Sequence, residues 1–78
     1  MSSELIAYLT RKGFQRVNGA MQWGSSTRTH IIVDTYNWCT EVEIRIVTAL
    51  GIPVDMHYYG IDDIDDITDY INALIPTT

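Results

Sequence analysis

"TEVEIRIVTALGIP", residues 40–53, decides the fold, because two incompatible structures can be read from it. As a helix it has a start and a stop: Thr40 and Glu43 fit a capping box, and Gly51 and Pro53 end it. As a strand, Val42, Ile44 and Ile46 alternate with Glu41, Glu43 and Arg45. On a helical wheel Ile44 would turn to water and Glu43 would break the apolar arc. The density of β-branched residues also favours extended chain. The segment 40–48 therefore reads as a strand, with Val42, Ile44 and Ile46 buried.

The flanking segments fit that reading. "PVDMHYY" (53–59) alternates again, Val54, Met56 and Tyr58 on one side and Asp55, His57 and Tyr59 on the other. "TRTHIIVDT" (27–35) puts Ile31 and Val33 on one face and Arg28, His30, Ile32 and Asp34 on the other. Further upstream, "FQRVNGAMQW" (14–23) reads as a hairpin around Asn18-Gly19, since a two-residue turn needs positive φ at both positions. That register sets Phe14 across from Trp23, a pair worth about 0.2–1 kcal/mol over two alanines. Ahead of it, "ELIAYLTRK" (4–12) is a helix capped by Ser3, with Arg11 and Lys12 in its last turn and Gly13 as its stop. Phe14 is placed to fold back on Leu9. These elements define an α+β fold in a single domain, 1–78: a helix, an antiparallel sheet of four to five strands, and a C-terminal acidic helix on one sheet face.

That last helix comes from the chemically loudest stretch, "GIDDIDDITDYINAL" (60–74). At 100° per residue, Ile61, Ile64, Ile67, Tyr70, Ile71, Leu74 and Ile75 fill one half of the wheel. Asp62, Asp65, Asp66 and Asp69 share an arc opposite them, with Asp63 at its margin. Asp62 suits an N-cap, and acids in a first turn complement the helix dipole. Asp66 and Asp69 have no Lys or Arg partner on the helix, and like charges at such spacing cost a few tenths of a kcal/mol, about 0.2–0.5 per pair. A calcium loop of EF-hand type requires a central glycine and a glutamate at its twelfth position, and neither is present. "DDIDD" matches the DDxxD of prenyl-diphosphate synthases, but those enzymes enclose a large helical cavity that this chain is too short to build.

Composition narrows the function classes. The net charge is −5, from ten acids against five bases, and half of the acids lie within 62–69. A backbone-binding nucleic-acid protein needs clustered Lys and Arg, so direct nucleic-acid binding is not expected; a protein partner with a basic surface is. A chain this small buries only about 60% of its unfolded surface, which makes a second copy of itself another candidate partner. One cysteine, Cys39, excludes an internal disulfide and suits a reducing compartment. "MSSELIAYLTRKGF" lacks the basic start and apolar run of a secretory signal, and no apolar stretch approaches the ~20 residues that span a bilayer. A cytoplasmic protein without membrane contact is expected.

Enzyme motifs are missing: there is no phosphate-binding glycine loop, Gly-x-Ser-x-Gly or HExxH. If the strands run in sequence order, His30 and His57 flank a middle strand about 9–10 Å apart, too far to share a metal. Cys39 has no basic setting to activate it. No catalytic residue, metal or cofactor is expected. If both helices pack on the Val42/Ile44/Ile46 side, the open face carries Arg28, His30, Ile32, Glu43, Arg45, Val47, His57 and Tyr59, with Tyr36, Asn37 and Trp38 at one end. Aromatic and arginine side chains are enriched in binding hot spots. The candidate contact residues are Tyr36, Trp38 and Tyr59 on that face and Asp62, Asp65, Asp66 and Asp69 on the helix. Trp38 could equally close the edge of the core.

"SELIAYLTRKGF" (3–14) resembles the opening of the HicA family of small mRNA-cutting toxins: a helix, a glycine and an aromatic residue ahead of a hairpin. That family's catalytic histidine follows a Gly-Ser pair in the second strand, whereas "NGAMQWGSS" (18–26) has none and the first histidine is His30. The resemblance implies, as an alternative, a small hydrolase or RNase-like relative using His30 or His57. In size, acidity and the unpaired face of Asp62, Asp65, Asp66 and Asp69, the chain is similar to small phage-encoded anti-defence proteins, anti-CRISPR proteins among them. That resemblance implies a non-enzymatic, stoichiometric inhibitor that occupies the nucleic-acid site of a host complex.

Overall fold

Seven elements follow one another in the computed structural model, which describes residues 1–76: α1 (Ser3–Arg11), β1 (Gln15–Val17), β2 (Ala20–Trp23), β3 (His30–Tyr36), β4 (Glu41–Val47), β5 (Pro53–Gly60) and α2 (Ile64–Leu74). The strands form one antiparallel sheet in sequence order, β1-β2-β3-β4-β5. The architecture is α+β. Among the described residues no helix is long and apolar enough to cross a membrane.

Local chemistry explains the ends of α1. The cap is Ser2 rather than Ser3: its hydroxyl accepts the Leu5 amide at 3.2 Å. At the other end the Phe14 amide donates to the Leu9 carbonyl (2.9 Å) and the Gly13 amide to that of Thr10 (3.1 Å), with Gly13 at φ 101°. These are the two bonds of a Schellman stop, and they need the left-handed residue that glycine supplies at least cost. The hairpin has the expected turn, Asn18 at φ 51° and Gly19 at φ 83°. Its ladder pairs Gln15 with Gln22 and Val17 with Ala20, the register that carries on to Phe14 and Trp23.

Residues 41–47 are strand, and Val42 and Ile44 are fully buried. Both helices lie over them: Leu5 and Leu9 of α1 and Ile67 and Ile71 of α2 join Phe14, Met21, Ile31, Val33, Val42 and Ile44 in one core. The Tyr8 hydroxyl donates to Asn72 Oδ1 at 2.6 Å, and Lys12 Nζ to the Ile75 carbonyl at 2.7 Å, which ties the helices together. Ile46 corrects the expectation of burial. It is only half-buried, because it lies in the last row of this face, between Ile31 and Asp55, where the helical cover runs out.

Two further expectations are corrected at the sheet and at α2. Strand β3 begins at His30, so Arg28 sits in the preceding loop and not on the open face. Asp62 is not the cap of α2; Asp63 holds that position, without a side-chain bond to the helix. Its carboxylate instead turns back on β5 and accepts the Gly60 amide at 3.2 Å. A side chain at Gly60 would meet that carboxylate at 2.9 Å, so glycine gives it room to close.

Candidate interaction surface

Strand β5 is inverted relative to its hydrophobic pattern. Residues directly opposite in an antiparallel ladder project from the same face. Ile44 pairs with His57 and Val42 with Tyr59, so His57 and Tyr59 lie under the helices, and the expectation that they belong to the open face is corrected. The physical reason is packing against α2. The Tyr70 ring sits 4.5 Å from His57 and 6.1 Å from Tyr59, and its hydroxyl donates to Asp55 Oδ2 at 3.3 Å. Burial, and then the charge and hydrogen bond of Asp55, push the Tyr70 hydroxyl up to about 12. Tyr59 is also raised, by burial and then by Asp66 and Asp55.

The opposite side of β5 therefore carries the apolar set outward. Val54, Met56 and Tyr58 are 62%, 48% and 44% exposed. Tyr36 of β3 joins them, its ring 4.9 Å from that of Tyr58. Behind this stripe is a polar centre on β4. Glu43 is buried across from Tyr58, and its Oε1 lies 2.8 Å from Arg45 Nε. The Arg45 contact is charge pairing without the alignment of a hydrogen bond, since Nε–H finds no acceptor. A hydrogen bond to Glu43, and then burial, raise the Tyr58 hydroxyl above its ordinary value of 10.0. The charge of Glu43 is thus satisfied from within, and the stripe over it is apolar and aromatic.

One end of this face is the turn between β3 and β4. Asn37, Trp38 and Cys39 adopt φ of 53°, 57° and 65°, three consecutive left-handed residues without a glycine. Each costs about 1–2 kcal/mol for a residue with a Cβ. The Thr40 amide and hydroxyl both donate to the Asn37 carbonyl, at 3.2 and 2.7 Å, and hold the turn. Trp38 does not close the core: it stands 94% exposed at the tip.

The acidic helix presents a second surface. Asp62, Asp63, Asp65, Asp66 and Asp69 are all exposed, while Ile67 and Ile71 are buried beneath them, as the wheel requires. Asp62, Asp63, Ile64, Asp65 and Asp66 line an open depression. Among the described residues no group of three His, Cys, Asp or Glu side chains could hold a metal ion.

The structure brings Tyr36 and Trp38 to one end of the open face, but sets Tyr59 and the aspartates elsewhere. His30 and His57 do not meet. His30 is buried on the open side, its Nδ1 2.7 Å from the Arg28 carbonyl. His57 is on the helix side, its Nε2 3.2 Å from Asp55. Sequence reasoning missed Val54, Met56 and Tyr58 as surface residues, because their apolar alternation is the ordinary signal for burial. No family model, curated protein or solved structure matches this chain.

Proposed function

We propose that the protein is a non-catalytic interaction module, acting as a stoichiometric inhibitor of the anti-defence kind, that binds a host protein through its open sheet face. The observation that carries this reading is the inversion of β5, which turns Val54, Met56 and Tyr58 to solvent. A strand that breaks its own hydrophobic pattern loses stability, and such breaks concentrate where function requires them. A contiguous apolar patch with an aromatic rim is the usual mark of a protein contact. Trp38 supports the same reading, since strained turns cluster at binding sites and tryptophan is a frequent anchor. The acidic face of α2 adds long-range attraction toward a basic partner, such as a protein whose own ligand is a nucleic acid.

The test begins with affinity capture from a host extract and continues with titration of the purified partner. Trp38→Ala and Tyr58→Ser should each weaken binding by about tenfold or more, the size of a hot-spot truncation. Unchanged affinity in both variants would refute the open face as the contact surface.

A further inference from the structure

We propose that β5 is also a homodimerisation edge, pairing antiparallel with β5 of a second copy across a twofold axis at Met56. The inference stands on the backbone edge of β5 and does not rest on the partner assigned to the open face.

The two edges of the sheet differ. Strand β1 is three residues long and carries Arg16. Strand β5 has eight residues, no Lys or Arg, and no strand beyond it among the described residues. Long edges without lysine are ready templates for another strand. The Ile61 amide donates to the Thr40 carbonyl at 3.0 Å, which extends the β4–β5 ladder and sets its alternation. By that alternation Tyr59, His57 and Asp55 turn their amides and carbonyls to β4, and Tyr58 and Met56 turn theirs outward, while Val54 is left without a partner on β4 where the register shifts between Asp55 and Pro53. Both ends of the free run are closed. Asp63 takes the amide and carbonyl of Gly60 through its carboxylate and its own N–H. Pro53 has no N–H, and a register irregularity opposite Ile46 and Val47 ends the regular ladder there. What remains open is 54–58, and its centre is Met56.

That segment, Val-Asp-Met-His-Tyr, is complementary to itself in reverse. With Met56 opposite Met56 of the second copy, Val54 faces the second Tyr58, an aromatic and β-branched pair of the favourable kind. On the helix side Asp55 faces the second His57, and His57 the second Asp55. Shifting the axis to Asp55 sets two acids face to face, and shifting it to His57 sets two imidazoles together. Of these three axes only the one at Met56 matches charge. Because β1 is short and protected, the pairing closes as a dimer rather than growing into a filament.

The test is sedimentation equilibrium of the protein alone, in reductant, up to about 1 mM, a range that captures weak association. The weight-average mass should rise with concentration from 8.9 kDa toward twice that value. Met56→Pro removes only an outward N–H, so it should stay folded by circular dichroism and remain monomeric. Met56→Lys, which sets two charges on the axis, is the second variant should the proline unfold the strand. His57→Asp should weaken association by about tenfold or more, and the exchange Asp55→His with His57→Asp should restore it, because the exchanged pair still matches across the axis. In a Cys39→Ser background, Met56→Cys should form a disulfide-linked dimer under mild oxidation far faster than Val54→Cys, since Cα atoms of a bonded pair lie about 5.5 Å apart. A monomer at every concentration overturns the proposal. So does a dimer that survives both Met56 variants, or one that cross-links equally well through Val54→Cys.

Discussion

Ile44 stands directly opposite His57 across the β4–β5 ladder, and that one pairing assigns residues 55–60 of β5 to their sides of the sheet. With Ile44 fully buried, His57 must share the helix-covered face, and its neighbours Met56 and Tyr58 must face away. The exposed stripe, the Tyr70 contact and the outward edge at Met56 all follow from it.

The helix face of α2 should matter for binding and not for folding. Asp65, Asp66 and Asp69 are exposed, and no salt bridge is formed by them among the described residues. Replacing all three with Asn should leave the melting temperature unchanged or slightly higher, as repulsion at helical spacing is removed. Binding to a basic partner should weaken at low salt, mainly through a slower on-rate, and the loss should shrink as salt screens the charges. Tyr8, raised by burial and then by Asp69, should titrate lower in the same variant, which ultraviolet absorbance will read.

Gly13→Ala should destabilise the protein by about 1 kcal/mol or more, because φ 101° is costly for a residue with a Cβ. The Trp23 ring, 3.5 Å from the added carbon, leaves room for it, so backbone conformation sets the cost. For a domain of this size the melting temperature should fall by roughly 4–8 °C per kcal/mol. A change below one degree would contradict the Schellman geometry.

Trp38→Gly should do the reverse. The ring contributes almost no burial, while glycine relieves a left-handed residue at φ 57°. Part of the gain is offset by the greater freedom of glycine in the unfolded chain, so the net should be about 0.5–1 kcal/mol. Thermal melts should thus show a stabilised protein, and the partner titration a weakened one. Both effects in one variant would mark the turn as strained for contact.

Stability should be lost at alkaline pH. Tyr8, Tyr58, Tyr59 and Tyr70 are all raised above the ordinary 10.0, Tyr70 to about 12. A raised folded-state pKa means that the folded protein holds its proton more tightly than the unfolded chain does. The stabilisation is complete below pH 10 and disappears as pH climbs through about 12. Denaturant melts from pH 8 to 12 should show a plateau followed by a fall, and Tyr70→Phe should flatten the fall. A stability that rises over this range would rule out the assigned environment of these phenols.

What the sequence determined by itself was local. Gly13 at the end of α1, Asn18-Gly19 in the hairpin, the alternation of 41–47 and the two-sided wheel of α2 each depend on neighbours within a few residues, whereas the cap of α1 was read one residue late, at Ser3 instead of Ser2. The acidic arc was legible for the same reason, since residues three and four apart share a helix face whatever surrounds the helix. The side of the sheet that β5 turns to the helices was decided only in three dimensions. The alternation of 53–59 shows two faces but not which one is covered. That depends on the register left by the 48–52 turn and on where Tyr70 arrives from α2. Hydrophobicity pointed Val54, Met56 and Tyr58 inward, and the hydrogen-bonded ladder turned them out, because a strand cannot change its face without shifting its pairing by one residue. The left-handed turn that lifts Trp38 was equally hidden. No glycine announces it, and it persists because β3 and β4 are already paired on either side and leave the four intervening residues only a tight path between Tyr36 and Glu41.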